Sequence, residues 1–399
     1  MSHPHKKYET PPKLYITFIL TALVALPGVL IGMLHIAHSP VFGAVIFGIS
    51  IFAAATILAW AAEVAQMDMS QALAVTILAL VAVLPEYAVD IVFTWKAGLG
   101  DEPSHHYAIA NMTGANRLLV GLGWPVILFL FIWAKKKREV ILKEDQRVEI
   151  IYIGLAALYA FIVMLKGSLT IFDTLILMTI YGFYAKRSAG MESAEPELVG
   201  PAKIIANLKK LPRRNATAMM FGYAGLVIFF VAEPFAHSLV ETGEVLGIDK
   251  FLLVQWLAPI ASEMPEFIIA ATWTLRGEAA ASIKALSSSL VNQFTLLVGS
   301  IPFVYSLAAG TVSTFELDTF QKHEIFLTAA QALFGLAVLI NLRLSRTSGI
   351  LLILLFFAQF IVREIRVEVG VVYLVFAVIY LFRRKTSLLP AIKTAFGMK

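Results

Sequence analysis

The sequence predicts an all-α polytopic membrane protein with about twelve transmembrane helices, and three observations carry this. Hydrophobic residues make up 59% of the 399 and charged residues only 15%, whereas a soluble domain needs about 25% charge to cover its surface. The mean hydropathy is +0.80, and the apolar residues gather in runs of about 20, the length that crosses a bilayer. Lysine and arginine gather in alternate inter-helix segments, the pattern of membrane topology rather than of nucleic-acid binding.

The spans read in order as 14–36, 42–66, 70–95, 107–133, 149–166, 168–187, 216–240, 250–275, 283–309, 323–342, 348–363 and 367–383, the last two being short. The polar start MSHPHKKYETPPK is too long for a signal-peptide n-region, so the first span is expected to be retained. The basic stretches 135–147, 186–214 and 383–385 fall on one side, which the positive-inside rule makes cytoplasmic together with both termini. The loops 98–106 and 310–322 fall outside, and Arg363 and Arg366 are the one dissent. The protein is expected in the plasma (inner) membrane, with the bilayer and small inorganic cations as its partners; the sequence does not name an oligomeric state, and a monomer could suffice. The absence of cysteine excludes disulfides, Cys-zinc sites and thiol catalysis.

An internal repeat divides the chain. ALAVTILALVAVLPEYAVDIVFTWKAG and FLLVQWLAPIASEMPEFIIAATWTLRG both place Pro-Glu in mid-helix, and both reach a basic residue at the same distance beyond, Lys96 and Arg276. The following helices overlay too: Thr113, Asn116, Arg117 and Gly123 fall on Ser289, Asn292, Gln293 and Gly299. The expected organisation is 1–41, N-terminus and extra helix; 42–187, first repeat; 188–215, cytoplasmic linker with a short amphipathic helix near 203–210; 216–363, second repeat; 364–399, extra helix and basic tail. Five helices per repeat is an odd number, so the two halves insert with opposite orientation. A 5+5 inverted repeat with a midplane site is a secondary-transporter architecture.

Charged side chains inside a membrane are costly and usually line a functional cavity. Glu86 and Asp90 share one helix face, as do Glu263 and Glu266, with Ser262 beside them. Proline before each repeat glutamate removes a backbone donor and frees the carbonyl one turn earlier. Carboxylates with freed carbonyls make a hard oxygen site suited to Ca²⁺ or Na⁺. Asn111, Thr113 and Asn116 in the first half, and Ser289, Asn292 and Gln293 in the second, offer neutral oxygens; the alternative for each is interhelical hydrogen bonding. Arg117 has two readings: a charge-compensating ion pair, or a guanidinium standing where a coupling cation would bind. Glu63 and Glu233 are assigned structural or access roles, and His35, His38, His105 and His106 are expected to be solvated.

These motifs resemble the calcium/cation antiporter superfamily, which includes the sodium/calcium exchangers. Members carry G-T-S-x-P-E on one helix and G-S-N-x-x-N/D on the next, in each of two repeats. The likeness spans about 42–363 and is strongest at AVLPE (82–86), SEMPE (262–266) and the N-x-x-G-A-N of 111–116. It implies that Glu86 and Glu266 ligate the transported cation. The chain departs where Ala82 and Val83 replace a hydroxyl pair, where Glu263 replaces a Ser, and where Ser-Ser-Ser-Leu-Val-Asn-Gln replaces the second G-S-N motif. The G-N-x-x-E of proton-coupled members is absent.

The expected function is antiport of Ca²⁺ against Na⁺ or H⁺ by alternating access, with no cofactor. The alternatives are exchange of Mg²⁺, Mn²⁺ or K⁺, and a cation channel. An intramembrane enzyme is disfavoured because H-E-x-x-H and G-x-S-x-G are missing.

Overall fold

The computed structural model describes residues 8–34, 36, 39–68, 84–191 and 198–398. Fourteen helices run through them. They are α1 (Pro12–Leu34), α2 (Pro40–Ala65), α3 (Leu84–Gly98), α4 (Glu102–Lys135), α5 (Arg147–Lys166), α6 (Ile171–Ala189) and the short α7 (Ala202–Ala206). Then come α8 (Lys210–Leu246), α9 (Lys250–Arg276), α10 (Ala279–Ala309), α11 (Thr319–Leu339), α12 (Arg346–Ile361), α13 (Arg366–Arg383) and α14 (Lys385–Phe396). Among the described residues, eight helices are long and apolar enough to cross a membrane, and α12 is apolar but shorter.

Most expected spans lie on these helices, with differences at the ends. The 70–95 span is described only from Leu84, so Ala82 and Val83 lie outside the described residues, as do His35 and His38. Residues 210–215, read as linker, are the first turns of α8, and the basic tail is helical as α14. Both differences come from the polar residues: Lys, Arg and Asn sit comfortably in a helix that runs past the membrane face, so polarity alone does not end one.

The chain folds into two compact units: Met1–Val92 with Ala189–Glu266, and Phe93–Ser188 with Phe267–Lys399. The units cut across the sequence halves, since each takes segments from both. The boundaries pass through α3 and α9, so each Pro-Glu helix contributes to both units.

In the first unit α2 packs along α8, with Gly48 facing the Phe235 ring. Two buried polar ties close its edge. Arg213 donates to both carboxylate oxygens of Asp68, at 2.7 and 2.8 Å. The Val199 amide donates to Glu63 Oε2 at 2.7 Å, giving Glu63 a structural task at the start of α7's approach. In the second unit α11 packs on α5 and α13, and a Cβ at Gly335 would meet the Trp124 ring at 2.8 Å, so only glycine admits that close approach. Two antiparallel strand pairs, Glu139–Ile141 with Arg343–Ser345 and Ser168–Leu169 with Phe315–Glu316, join segments that the charge pattern assigned to the same side. His105, expected to be solvated, instead stacks on Phe315 at 3.6 Å between ring centroids.

α4 and α10, the helices after each Pro-Glu, each carry one five-residue π turn, Leu119–Gly123 and Gln293–Leu297. With Arg117 aligned on Gln293, Leu119 falls on Thr295, so the two turns start within two residues of each other. Single π turns inside α-helices concentrate at functional sites.

Candidate cation site

The first unit carries four carboxyl side chains on two helices far apart in sequence, and among the described residues no three His, Asp or Glu side chains are arranged to hold a metal ion. Glu86 and Asp90 lie one turn apart on α3, and each is 1% exposed. Glu263, 2% exposed, and the half-buried Glu266 lie on α9. Glu263 is the group that acts most strongly on Glu86, followed by Asp90 and Glu266. Glu266 in turn feels Glu263.

One consequence follows from chemistry. Ionised carboxylates that act on one another away from water repel one another and lose their hydration, so protons or cations must neutralise them.

α9 prepares this environment locally. Pro259 and Pro265 both lie inside it, and Pro265 leaves the Ala261 carbonyl without its usual amide donor. Ser262 spends its hydroxyl hydrogen on the carbonyls of Ala258 and Pro259, at 3.2 and 3.3 Å, which leaves its oxygen lone pairs facing outward from the helix backbone.

The second unit holds the other predicted residues. Asn116 donates its amide to the Met112 carbonyl at 2.8 Å, and its buried Oδ1 accepts nothing among the described residues. Asn111 is 1% exposed, with neither amide atom paired among them. Ser289 is buried with a hydroxyl unpaired among the described residues, while Asn292 and Gln293 are fully buried on α10. Thr113 bonds back to the Ile109 carbonyl at 2.7 Å. The first of these helices packs against the π turn of α10.

Arg117 is fully buried and makes an ion pair of 2.6 Å with Glu324, donates to Gln359 at 2.9 Å, and reaches the Thr113 carbonyl at 3.2 Å. Glu324 takes a second guanidinium, that of Arg366, on its other oxygen. This geometry is the ion-pair reading of Arg117, and it accounts for Arg366 as a buried partner rather than a loop charge.

Sequence reasoning missed Glu324, Gln359 and the buried Glu149. The signal for Glu324 was present: an arginine inside a span needs a carboxylate, and Glu324 stands at the start of the 323–342 span.

The model of the family described as sodium/calcium exchanger protein matches residues 38–188 and again 216–365. A solved structure described as the H+/Ca2+ exchanger CAX is 38% identical, covers 97% of this chain and 98% of its own, and superposes with a TM-score of 0.94. The structure of YfkE shares the fold at 15% identity and a TM-score of 0.66, covering 86% of this chain and 98% of its own. The sodium-calcium exchanger NCX_Mj does so at 14% and 0.53, covering 85% and 98%. No curated protein sequence matches significantly.

Proposed function

The chain belongs to the sodium/calcium exchanger protein family, and from that premise we propose that it is a secondary antiporter exchanging Ca²⁺ for protons by alternating access. The observation that carries this reading is the four carboxyl side chains of the two Pro-Glu helices, Glu86, Asp90, Glu263 and Glu266, the last three of which all act on Glu86. Carboxylate oxygens suit a hard divalent ion. The same oxygens hold protons when the ion leaves, so a pair of them is neutralised by one Ca²⁺ or by two protons, and never fully by both at once. Exchange follows if the carrier crosses between its two access states only when this charge is compensated.

The other predicted ligands enter the reading within their own units. Ser262 and the Ala261 carbonyl add neutral oxygens beside the quartet. Asn111, Asn116, Ser289, Asn292 and Gln293 are proposed as neutral oxygen donors to ions moving along α4 and α10; the unpaired oxygens of Asn116 and Ser289 support this. The proposed architecture has twelve spans, inverted repeats over 42–187 and 216–363, and both termini in the cytoplasm. The matched π turns and the same-side strand pairs support it.

The missing G-N-x-x-E motif favours Na⁺ as the counter-ion. Against it stands the likeness to a protein described as an H⁺/Ca²⁺ exchanger. Proteoliposomes decide between them. An outward proton gradient is expected to drive accumulation of radiolabelled Ca²⁺. Accumulation driven by a Na⁺ gradient and indifferent to pH transfers the role to Na⁺, and no gradient-driven uptake of any divalent cation refutes antiport.

A further inference from the structure

The basic segment after α13, which the cation site does not use, folds into a helix with two different long sides. From Arg383 onward the sequence carries Arg383, Arg384, Lys385, Lys393 and Lys399 and no Asp or Glu. Lys385–Phe396 form α14, separated from the end of α13 by Arg384.

The inner side of α14 is fixed to the second unit. Ala391 and Ala395 are fully buried. Arg147, at the start of α5, donates to the Ser387 carbonyl at 3.2 Å, and Arg187, near the end of α6, donates to the Thr394 carbonyl at 3.0 Å. The Phe396 ring lies against Tyr152 at 6.0 Å between centroids. These contacts also set the depth of the helix. Ser387 meets α5 at Arg147, and Phe396 meets it at Tyr152, about 7.5 Å further along the span at about 1.5 Å per residue. α14 therefore does not run out into water; it turns back beside the first turns of a helix long and apolar enough to cross a membrane.

The outer side is both apolar and basic. Leu389 is 62% exposed and Phe396 49%, with Leu388 and Met398 exposed beside them. Helical spacing puts Lys385, Leu389, Lys393 and Phe396 on one face. The Lys385 ammonium lies over the Phe382 ring, 5.5 Å from its centroid, and Arg383 and Lys393 are exposed. Arg384 is set apart from these, because it donates to the Ala337 and Val338 carbonyls and lies over the Tyr380 ring. Arg187, beside Gly397, adds to the positive field at the far end of the helix. At the boundary between headgroups and acyl chains, such a face buries its apolar side chains while the lysine stems reach back to the phosphates.

We propose that α14 is an interfacial helix that binds anionic phospholipid, with Leu389 and Phe396 in the acyl boundary and Arg383, Lys385 and Lys393 on the phosphates. The proposal goes beyond the antiport reading and is independent of which ions are exchanged. Position and charge together select a lipid surface over a protein partner. The helix follows one membrane span directly and lies along the first turns of another, so its exposed leucine and phenylalanine stand at the depth where acyl chains begin. Its lysines flank them with no acidic residue in the segment, so the surface they meet must bring the negative charge.

The absence of cysteine allows a single label on the full chain. Leu389→Cys carries an environment-sensitive fluorophore, and the protein is reconstituted in nanodiscs in which either phosphatidylglycerol or phosphatidylcholine has brominated acyl chains, which quench on contact. Each basic side chain near an anionic surface favours association about fivefold, so brominated phosphatidylglycerol is expected to outcompete brominated phosphatidylcholine at the label by about fivefold or more. Adding Lys385→Gln and Lys393→Gln should bring the two lipids close to equal quenching. A label at Val312→Cys, in the loop whose strand pairs beyond the opposite end of α5, should show no preference. Equal quenching by both lipids at Leu389→Cys overturns the selection of anionic lipid. No quenching by either overturns the interfacial position and leaves the face to a protein partner. A second readout needs no label: the thermal midpoint of the otherwise unaltered chain should rise from phosphatidylcholine to phosphatidylglycerol nanodiscs, and the double lysine variant should lose most of that rise. Should Leu389→Cys fail to fold, this measurement decides, and a rise of equal size in both proteins overturns the proposal.

Discussion

Arg117 and Glu324, 207 residues apart in sequence, form an ion pair of 2.6 Å with both side chains fully buried. Because Glu324 also holds Arg366, one carboxylate compensates two guanidiniums. Removing the carboxylate strands two buried charges, whereas removing Arg117 leaves Glu324 paired. Breaking a buried pair from one side costs about 3–5 kcal/mol. Glu324→Gln is therefore expected to lower the thermal midpoint of the purified protein far more than Arg117→Gln does, and equal midpoints in the two variants would refute the shared pairing. Arg117→Gln is also expected to keep the counter-ion stoichiometry of wild type in liposomes. An additional ion per cycle would show that the guanidinium does stand in for a coupling cation.

The carboxyl quartet makes a graded prediction about transport. Glu86→Gln and Glu266→Gln each remove a charge that the divalent ion must meet, and each is expected to abolish exchange in proteoliposomes without loss of folded protein. Glu263→Gln keeps a hydrogen-bonding side chain and removes only the charge, so it should weaken the apparent Ca²⁺ affinity and move the pH at which exchange is half-maximal. Wild-type flux in both Glu86→Gln and Glu266→Gln would sink the site.

The shared helix face within each carboxyl pair was legible in the sequence and the buried ion pair was not, for a physical reason. Helical spacing is local: Glu86 and Asp90, or Glu263 and Glu266, declare a shared face within one turn, and the repeat relates the two helices. Arg117 declares only that it needs a partner, and the repeat offers none, since its counterpart is Gln293. Its partners, Glu324 and Gln359, stand on α11 and α12, outside any local period, where Glu324 reads as an ordinary boundary charge. The strand pairs escaped for a similar reason, being two or three residues long and set by the helices that bring the loops together. Glu149 was hidden by its position, since a carboxylate near a helix start usually serves the helix dipole.

Close helix packing gives a steric prediction. A Cβ at Gly98 would lie 2.6 Å from the Ala308 methyl and 2.6 Å from the Tyr305 carbonyl oxygen, with backbone that cannot swing aside. Overpacking of this kind costs about 1–3 kcal/mol, so Gly98→Ala should lower the thermal midpoint. Gly222 on α8 has nothing within 4 Å of such a methyl. Gly222→Ala should be neutral or gain about 0.5–1 kcal/mol from reduced backbone freedom, which separates steric clash from a general effect of the substitution.

The tie between Asp68 and Arg213 carries a pH dependence whose sign can be worked out. Asp68 lies just beyond α2, and the hydrogen-bonded guanidinium of Arg213 holds its carboxyl below the ordinary value of 3.8, with Arg214 and Lys210 adding to the effect and burial opposing it. A carboxyl lowered in the folded state is charged there at pH values where the unfolded chain has begun to bind its proton. Its contribution is therefore complete above about pH 3.8 and disappears as the pH falls through the lower folded value. Two charge-assisted hydrogen bonds in this geometry are worth about 1–3 kcal/mol. Asp68→Asn should lower the thermal midpoint at pH 7, and the gap to wild type should close on acidification, because protonation makes the wild-type side chain neutral as well. Measured across this range, a gap that stays constant would mean that Asp68 acts through its shape and not its charge, and a gap that widens toward acid would contradict the pairing.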